Sequence, residues 1–260
     1  VQTITLTIQD QIATITFNRP AAMNSFDKTM GEELEQITEQ VRLDHSIRAV
    51  LLKGAGPLFM AGGDINFFHE MIDDMPAGVM KIVRTLNASI INLMRMPKPV
   101  LASVHGSVAG VGMSLMMASD LVIAAKDTKF TLAYTGIGIS PDGGASFNLP
   151  RLVGTKKAME LMLLSDLFDA SSAEAYGLIN WAVEQEELEE KTQRLMKKLV
   201  NGPTQSYAQT KRLLNDTWQK SLETHLEDEG RAFEACSATN DFRAGVESFL
   251  KKKRPDFVGS

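Results

Sequence analysis

The sequence predicts an α/β chain: a spiral of repeated strand, turn and helix units, followed by a helical C-terminal section. Three observations carry this expectation. The chain opens with two stretches, "TITLTIQ" and "IATITFNRP", in which apolar and polar residues alternate with the period of half-buried strands. A buried-strand run, a glycine-rich turn and a helix then occur twice, over residues 50–67 and 100–119. From Gly154 onward helical periodicity takes over. The 260 residues suffice for one large domain, divided here into a spiral core, 1–199, and a helical section, 200–260.

Taken in order, residues 3–18 form a β-hairpin turning at "DQ" and ended by Pro20. Met30, Leu34, Ile37 and Val41 fall at helical spacing within residues 26–44. "IRAVLLKGAG" is a buried strand running into a glycine turn. Residues 70–96 are polar, rich in methionine and helical, with a break near Pro76. "PKPVLASVHG" is a strand, "AGVGMSLMMASD" a helix, and "LVIAAKDTKFTLAY" supplies two short strands. Three helices follow: "TKKAMELMLLSD", then "SSAEAYGLIN" with serine as its N-cap, then "LEEKTQRLMKKLVNG" closed by Asn201-Gly202. Two or three more helices are expected over residues 203–249, before the basic tail "KKKRPDF". Their apolar stripes serve either subunit contacts or their own core.

Composition excludes several classes of function. Hydrophobic residues make up 44% and charged residues 23%, an ordinary globular balance. Net charge is −5 and the longest block of like charge is "KKKR", residues 251–254, so no general nucleic-acid footprint is expected. On residue counting that run is a solvated helix end. Cys236 is the only cysteine, which rules out an intrachain disulfide and fits a reducing, cytoplasmic setting. The first residues do not have the pattern of a signal peptide. The most apolar stretch, residues 100–125, is interrupted by His105 and Asp120 and reads as buried core, not a membrane span. The four histidines show no i, i+4 pair, so no metal is expected.

Chemistry is suggested at three places. The turns "MAGGDI" (Gly62, Gly63) and "GSVAGVG" (Gly110, Gly112) each open a helix and present free N–H groups. Neither matches a P-loop or a dinucleotide fingerprint. If both face one point they make an oxyanion hole; phosphate binding and plain tight packing are the alternatives. Ser114, His105 and Asp120 could make up a hydrolytic trio, but no G-x-S-x-G elbow is present. In "GIGISPDGG", Asp142 is either a turn residue or an acid/base.

Five segments in order, "FNRPAAMNSF", "MAGGDI", "PKPVLASVHGSVAGVGMSLMMASDLVIAA", "PDGGASFNLPRLVG" and "DFRAGVESFLKKKRPDFVG", resemble the crotonase (enoyl-CoA hydratase/isomerase) superfamily over nearly the whole chain. The resemblance implies a crotonase-like spiral of ββα units and an acyl-CoA thioester substrate, with coenzyme A as part of the substrate and no separate cofactor. It also implies trimers or dimers of trimers formed through the C-terminal helices. The oxyanion donors fall on the backbone N–H groups of Gly63 and Val111, the latter where the family more often has glycine. Coenzyme A contacts fall near Ala22, Met23, Ala61, Asp64, Ile65 and Phe257, with the basic tail closing over the nucleotide, a role for residues 251–254 beyond that of a helix end.

The acids point to the reaction. Where a typical hydratase has two glutamates, this chain has Ser114 and Tyr134, neither of which is a ready base at neutral pH. Asp142 occupies the "PD-GG" position that carries aspartate in the 1,2-epoxyphenylacetyl-CoA isomerase branch of phenylacetate degradation, a branch similar to the Δ3-Δ2-enoyl-CoA isomerases. The 4-chlorobenzoyl-CoA dehalogenases also have aspartate here, but pair it with Trp and His where this chain has Tyr134 and Ile91. The resemblance thus implies an isomerase in which Asp142 moves one proton from the α- to the γ-carbon. Ser114, Tyr134, Phe147 and the Met-rich 67–96 segment would line the pocket. Two other functions are weighed: a hydratase using Asp142 with Tyr134 or a water, and a non-catalytic acyl-CoA binder. An RNA-binding role would call for a basic helix face, whereas residues 32–44 contain a single cation, Arg42.

Overall fold

Successive turns of the spiral lay one strand in a large sheet and the next in a small one. β1 (Ile4–Gln9) and β2 (Ile12–Phe17) pair antiparallel around Asp10 and Gln11. Both turn residues have positive φ, the conformation that matches strand twist in a two-residue hairpin. The chain crosses through α1 (Lys28–Leu43) to β3 (Ala49–Gly54), which runs parallel to β2. Then α2 (Ile65–Glu70) and α3 (Met75–Arg95) lead to β4 (Val100–Val104), parallel to β3. β5 (Ser107–Ala109) and α4 (Val111–Met117) follow at once. β6 (Leu121–Ala125) pairs with β4, and β7 (Lys129–Thr131) with β5. After α5 (Ala145–Val153) and α6 (Thr155–Leu164), β8 (Phe168–Asp169) joins the small sheet. α7 (Ala170–Ala175) then leads to β9 (Trp181–Val183), at the edge of the large sheet. The strand orders are β1-β2-β3-β4-β6-β9 and β5-β7-β8. α8 (Leu188–Val200), α9 (Thr204–Asp216), α10 (Leu222–Ser237) and α11 (Asn240–Leu250) complete the chain. The computed structural model describes residues 2–260.

The parallel strands read as unbroken apolar runs because both of their faces are covered. Val50, Leu52, Ala102, Val104, Val122 and Ala124 point into the main core, which they share with α1, α3, α4 and α5. The alternate residues Ala49, Leu51, Leu101, Ile123 and Ala125 pack under α8 through Leu188, Met196 and Val200.

The structure differs from the sequence reading in local detail. The three-residue strands β5 and β9 and the two-residue β8 were not anticipated, being too short to show a period. The N-cap of α7 is Asp169, whose carboxylate accepts from Ser172 N at 2.9 Å, not a serine. Pro76 lies in the first turn of α3, where its missing N–H costs nothing, and the helical break precedes it. The first long helix begins at Lys28, capped by the Asp27 carboxylate.

The C-terminal helices are tied to the core by buried cations. Arg48, just before β3, donates to Gly202 O (2.7 Å), Thr204 Oγ1 (3.0 Å) and Phe257 O (3.2 Å). Lys211 on α9 donates to Leu93 O (2.7 Å) and Asp120 Oδ2 (2.8 Å), and Asp120 also accepts from Val100 N. Burial pushes the Lys211 ammonium down and the Asp120 carboxyl up from their ordinary ranges, and their mutual attraction opposes both changes. Leu214, Trp218, Leu222, Phe233, Phe249 and Leu250 remain at least 68% exposed, so within one chain these side chains do not pack into a core.

Removing one partner of the Lys211–Asp120 pair strands the other. Lys211→Met is expected to lower the unfolding free energy by about 3 kcal/mol, read from the denaturant midpoint, and adding Asp120→Asn should recover part of that loss.

Candidate active site

The two glycine turns lie side by side. Met60 pairs in parallel with Val108: Met60 N donates to Ser107 O (3.1 Å) and Ala109 N donates to Met60 O (2.9 Å). The approach continues to Gly62 and Gly110, so Gly63 and Val111 are the next residues of two neighbouring turns. At Gly112 the approach is close enough to require glycine; at Gly62 the contact is ordinary and the backbone conformation sets the requirement. A Cβ on Gly62 would lie 3.4 Å from Ala109 O, and one on Gly112 would lie 2.9 Å from Met60 O. Gly62 (φ +105°) and Gly110 (φ +49°) also occupy the region that glycine tolerates best. Val111 is the first residue of α4, so its N–H has no partner within the helix. Gly63 N–H likewise donates to no group among the described residues. The turns thus offer two adjacent, unpaired donors.

The first turn is locked from below. Phe26 N donates to Gly62 O (2.8 Å), Asp64 N to Phe26 O (2.9 Å) and Ala61 N to Met23 O (3.1 Å). Asp64 is the N-cap of α2 and accepts from Asn66 N and Phe67 N. Burial works to raise its pKa, but the Phe67 N–H and the Arg19 guanidinium outweigh it and hold the carboxyl below its ordinary value. Arg19 also pairs with Asp27 at 3.1 Å, so its charge is already met. Asn24 was not singled out in the sequence, yet it is fully buried. Its Nδ2 donates to Ala55 O and Leu58 O, and its Oδ1 accepts from Arg19 N. The available signal was the residue type, since asparagine enters positive φ more readily than most residues, and Asn24 of "AAMNSF" does so.

Asp142 approaches from the other side. Gly143 (φ +54°) and Gly144 (φ +77°) turn the chain into α5, and Ala145 N donates to Asp142 O at 3.0 Å. A Cβ on Gly143 would lie 2.9 Å from Ser114 Cβ and 3.0 Å from Leu86 Cδ2. The loop is therefore seated on α4 at Ser114, one helical turn (a rise of about 4.5 Å) beyond Val111. Tyr134 donates its hydroxyl to Asp142 Oδ1 at 2.9 Å. Ser114 Oγ lies 2.8 Å from the Tyr134 hydroxyl and 3.1 Å from Asp142 O. Burial raises the Asp142 pKa above the ordinary carboxylate value, with the Tyr134 bond working the other way. Burial and the neighbouring Asp142 charge push the Tyr134 hydroxyl far up, so it stays protonated.

The other expected site residues divide. Ala22, Met23, Ala61, Asp64 and Ile65 gather around the first turn, with Met23 and Ile65 more than half exposed. Phe147 is 40% exposed under the Arg151 guanidinium and lines a groove of about 650 Å³ with Gly144 of the Asp142 loop and with Ile91, Met94, Gln205 and Arg212. Phe257 lies apart from these residues: its ring packs near Gly245 and its carbonyl accepts from Arg48, just before β3. The Ser114, His105 and Asp120 trio is not assembled. His105 Nε2 bonds Gly56 O and Asp120 pairs with Lys211. Among the described residues no cluster of His, Cys, Asp or Glu could hold a metal, and no helix is long and apolar enough to cross a membrane.

A family model described as enoyl-CoA hydratase/isomerase matches residues 7–260. The chain is 35% identical to the 1,2-epoxyphenylacetyl-CoA isomerase of Escherichia coli, with 97% of each chain covered. It is 32% identical to the trans-2-decenoyl-[acyl-carrier-protein] isomerase of Streptococcus mutans, covering 97% of this chain and 96% of that one. The crystal structure of the enoyl-CoA hydratase from Bacillus anthracis superposes with a TM-score of 0.93 at 30% identity over the full length of both chains. The spiral with its C-terminal helices is thus the crotonase fold, and this chain belongs to the enoyl-CoA hydratase/isomerase family of enzymes.

Proposed function

We propose that the protein is an enoyl-CoA isomerase that moves a double bond from the β,γ to the α,β position with Asp142 as its single acid/base. The observation that carries this reading is the placement of a half-buried carboxyl against α4 at Ser114, one helical turn beyond Val111, with hydroxyls, not acids, at Ser114 and Tyr134. In this mechanism the thioester oxygen sits between the two N–H groups. Asp142 takes the α-proton, the electron pair spreads over the dienolate oxygen and carbons, and the same carboxyl returns the proton at the γ-carbon. The raised pKa makes Asp142 a stronger base than a free carboxylate, which suits a carbon acid. Water addition would call for a second group to activate the water, and Tyr134, held protonated by burial and by Asp142, is a poor one. The names of the Escherichia coli and Streptococcus mutans relatives support an isomerase, and that of the Bacillus anthracis structure supports a hydratase.

In the same reading coenzyme A lies across Ala22, Met23, Ala61 and Ile65, whose exposed apolar surface flanks the first turn. A contact from Phe257 or the basic tail would come from a second subunit, because the chain's own tail is held by Arg48, just before β3. The exposed Leu214, Trp218, Phe233 and Phe249 suit a subunit interface of a trimer or a dimer of trimers.

Three outcomes are expected. With 3-hexenoyl-CoA and chromatographic separation of products, the protein forms 2-enoyl-CoA, and Asp142→Asn is slower by about 10²- to 10⁴-fold. Accumulation of 3-hydroxyacyl-CoA instead would establish the hydratase. Val111→Pro removes one N–H donor at a helix position that accepts proline, and should cost about 10²- to 10³-fold in kcat. The third outcome concerns stability. Because the folded pKa of Asp142 is raised, its favourable contribution is fully present below the unfolded value of about 3.9 and is lost as pH rises through the folded value. Asparagine does not titrate, so Asp142→Asn should raise Tm relative to the parent at neutral pH, with the difference shrinking in acid.

A further inference from the structure

We propose that Tyr134 is a positioning residue that holds the Asp142 carboxyl through a closed chain of hydroxyls, leaving Oδ2 as its one working oxygen. The chain runs from Asp142 Oδ1 to the Tyr134 hydroxyl (2.9 Å), on to Ser114 Oγ (2.8 Å), and back to the Asp142 main-chain carbonyl (3.1 Å). This deepens the isomerase reading and rests on Asp142 being its base.

The argument is a count of hydrogens. Each hydroxyl carries one. The Asp142 carbonyl can only accept, so Ser114 directs its hydrogen there or shares it with Tyr134. Tyr134 is then free to donate to Oδ1. Oδ2 has no hydrogen-bond partner among the described residues, which leaves it for a substrate proton. When Oδ2 takes that proton, Oδ1 is still an acceptor and the Tyr134 bond survives unchanged. No hydroxyl has to turn as the proton arrives or leaves, so the carboxyl keeps its aim through both half-reactions.

Position supports the count. Ser114 is fully buried and Tyr134 is 4% exposed, and the chain returns to the residue where it began. It therefore opens no route for the proton to bulk water. The elements packed on the loop add no competing charge. α4 contributes Ser114 and α3 contributes Leu86 and Ile90. Lys81 on α3 pairs with Glu32, and Arg151 on α5 bonds Phe147 O. Neither these two nor Arg84 and Arg95 of α3 act on the Asp142 carboxyl, whose pKa answers to burial, to Tyr134 and to its own backbone N–H.

The test compares the parent protein with Tyr134→Phe, Ser114→Ala and Asp142→Asn. Two readouts are used: pH profiles of 3-hexenoyl-CoA isomerisation, and infrared difference titration of the carboxyl, with Asp142→Asn identifying the Asp142 band. Tyr134→Phe removes one oxygen and keeps the ring, so packing is preserved. It also removes the donor that favours the ionised carboxyl. The acid limb of kcat and the infrared midpoint should both move to higher pH by about one unit, and kcat should fall about tenfold with KM within twofold. Ser114→Ala should move both in the same direction by less, since the direct Tyr134 bond remains. An unmoved infrared midpoint in Tyr134→Phe overturns the proposal and leaves Tyr134 a packing residue. So does a larger shift in Ser114→Ala than in Tyr134→Phe. The base reading fails separately if Asp142→Asn isomerises as fast as the parent, and the infrared titration still decides the role of Tyr134 in that case or if 3-hexenoyl-CoA is not turned over.

Discussion

The main-chain pairing of Met60 with Ser107 and Ala109 carries the architecture of the site. These two bonds hold consecutive turns of the spiral in register, so the glycine turns that follow run side by side and their free N–H groups fall next to each other. Nothing larger than hydrogen fits at Gly112 without pushing the turns apart, and Gly62 holds a positive φ that other residues rarely adopt. In the proposed mechanism two donors in adjacent turns serve one thioester oxygen, while the same donors spread further apart would be two weak contacts. Supporting bonds converge on this spacing: Phe26 and Met23 hold the first turn, Asn24 holds the loop that carries them, and Gly110 N donates to Thr131 O to hold the second.

Asp142 illustrates how a fold places a charge where it is costly. A carboxylate away from water is disfavoured unless hydrogen bonds compensate. Here the compensation is one hydroxyl and the residue's own backbone N–H, enough to hold the group but not to return its pKa to the ordinary range. The residual instability is chemically useful, because an ionised carboxylate kept short of partners gains from taking a proton. The serine and tyrosine at the hydratase-glutamate positions fit the same logic. Two further carboxylates beside Asp142 would repel its charge, whereas two hydroxyls add none.

The C-terminal section is attached by a different kind of interaction. α9 and the tail reach the core through Arg48 and Lys211, each satisfying several carbonyls or a carboxylate at once. Such bonds are directional and set the angle at which the helices leave the core, while the apolar faces of α10 and α11 stay open. The section is thus rigidly aimed yet incompletely buried within one chain.

Much of this was legible in the amino-acid order. The period-two alternation of residues 3–18, the helical spacing of Met30, Leu34, Ile37 and Val41, and the glycines before the two helices are local signals, and the elements they imply are present. The order of five motifs led to the family, and "PDGG" marked the candidate acid. The short strands β5, β8 and β9 left no such signal, because two or three residues cannot display a period and their pairing is wholly non-local. For the same reason the sequence could not show that Gly62 packs against Gly110 or that Ser114 and Tyr134 converge on Asp142. Those facts depend on residues 8 to 48 positions apart meeting in space, and contacts of that range are decided by sheet register and helix seating once the chain has folded.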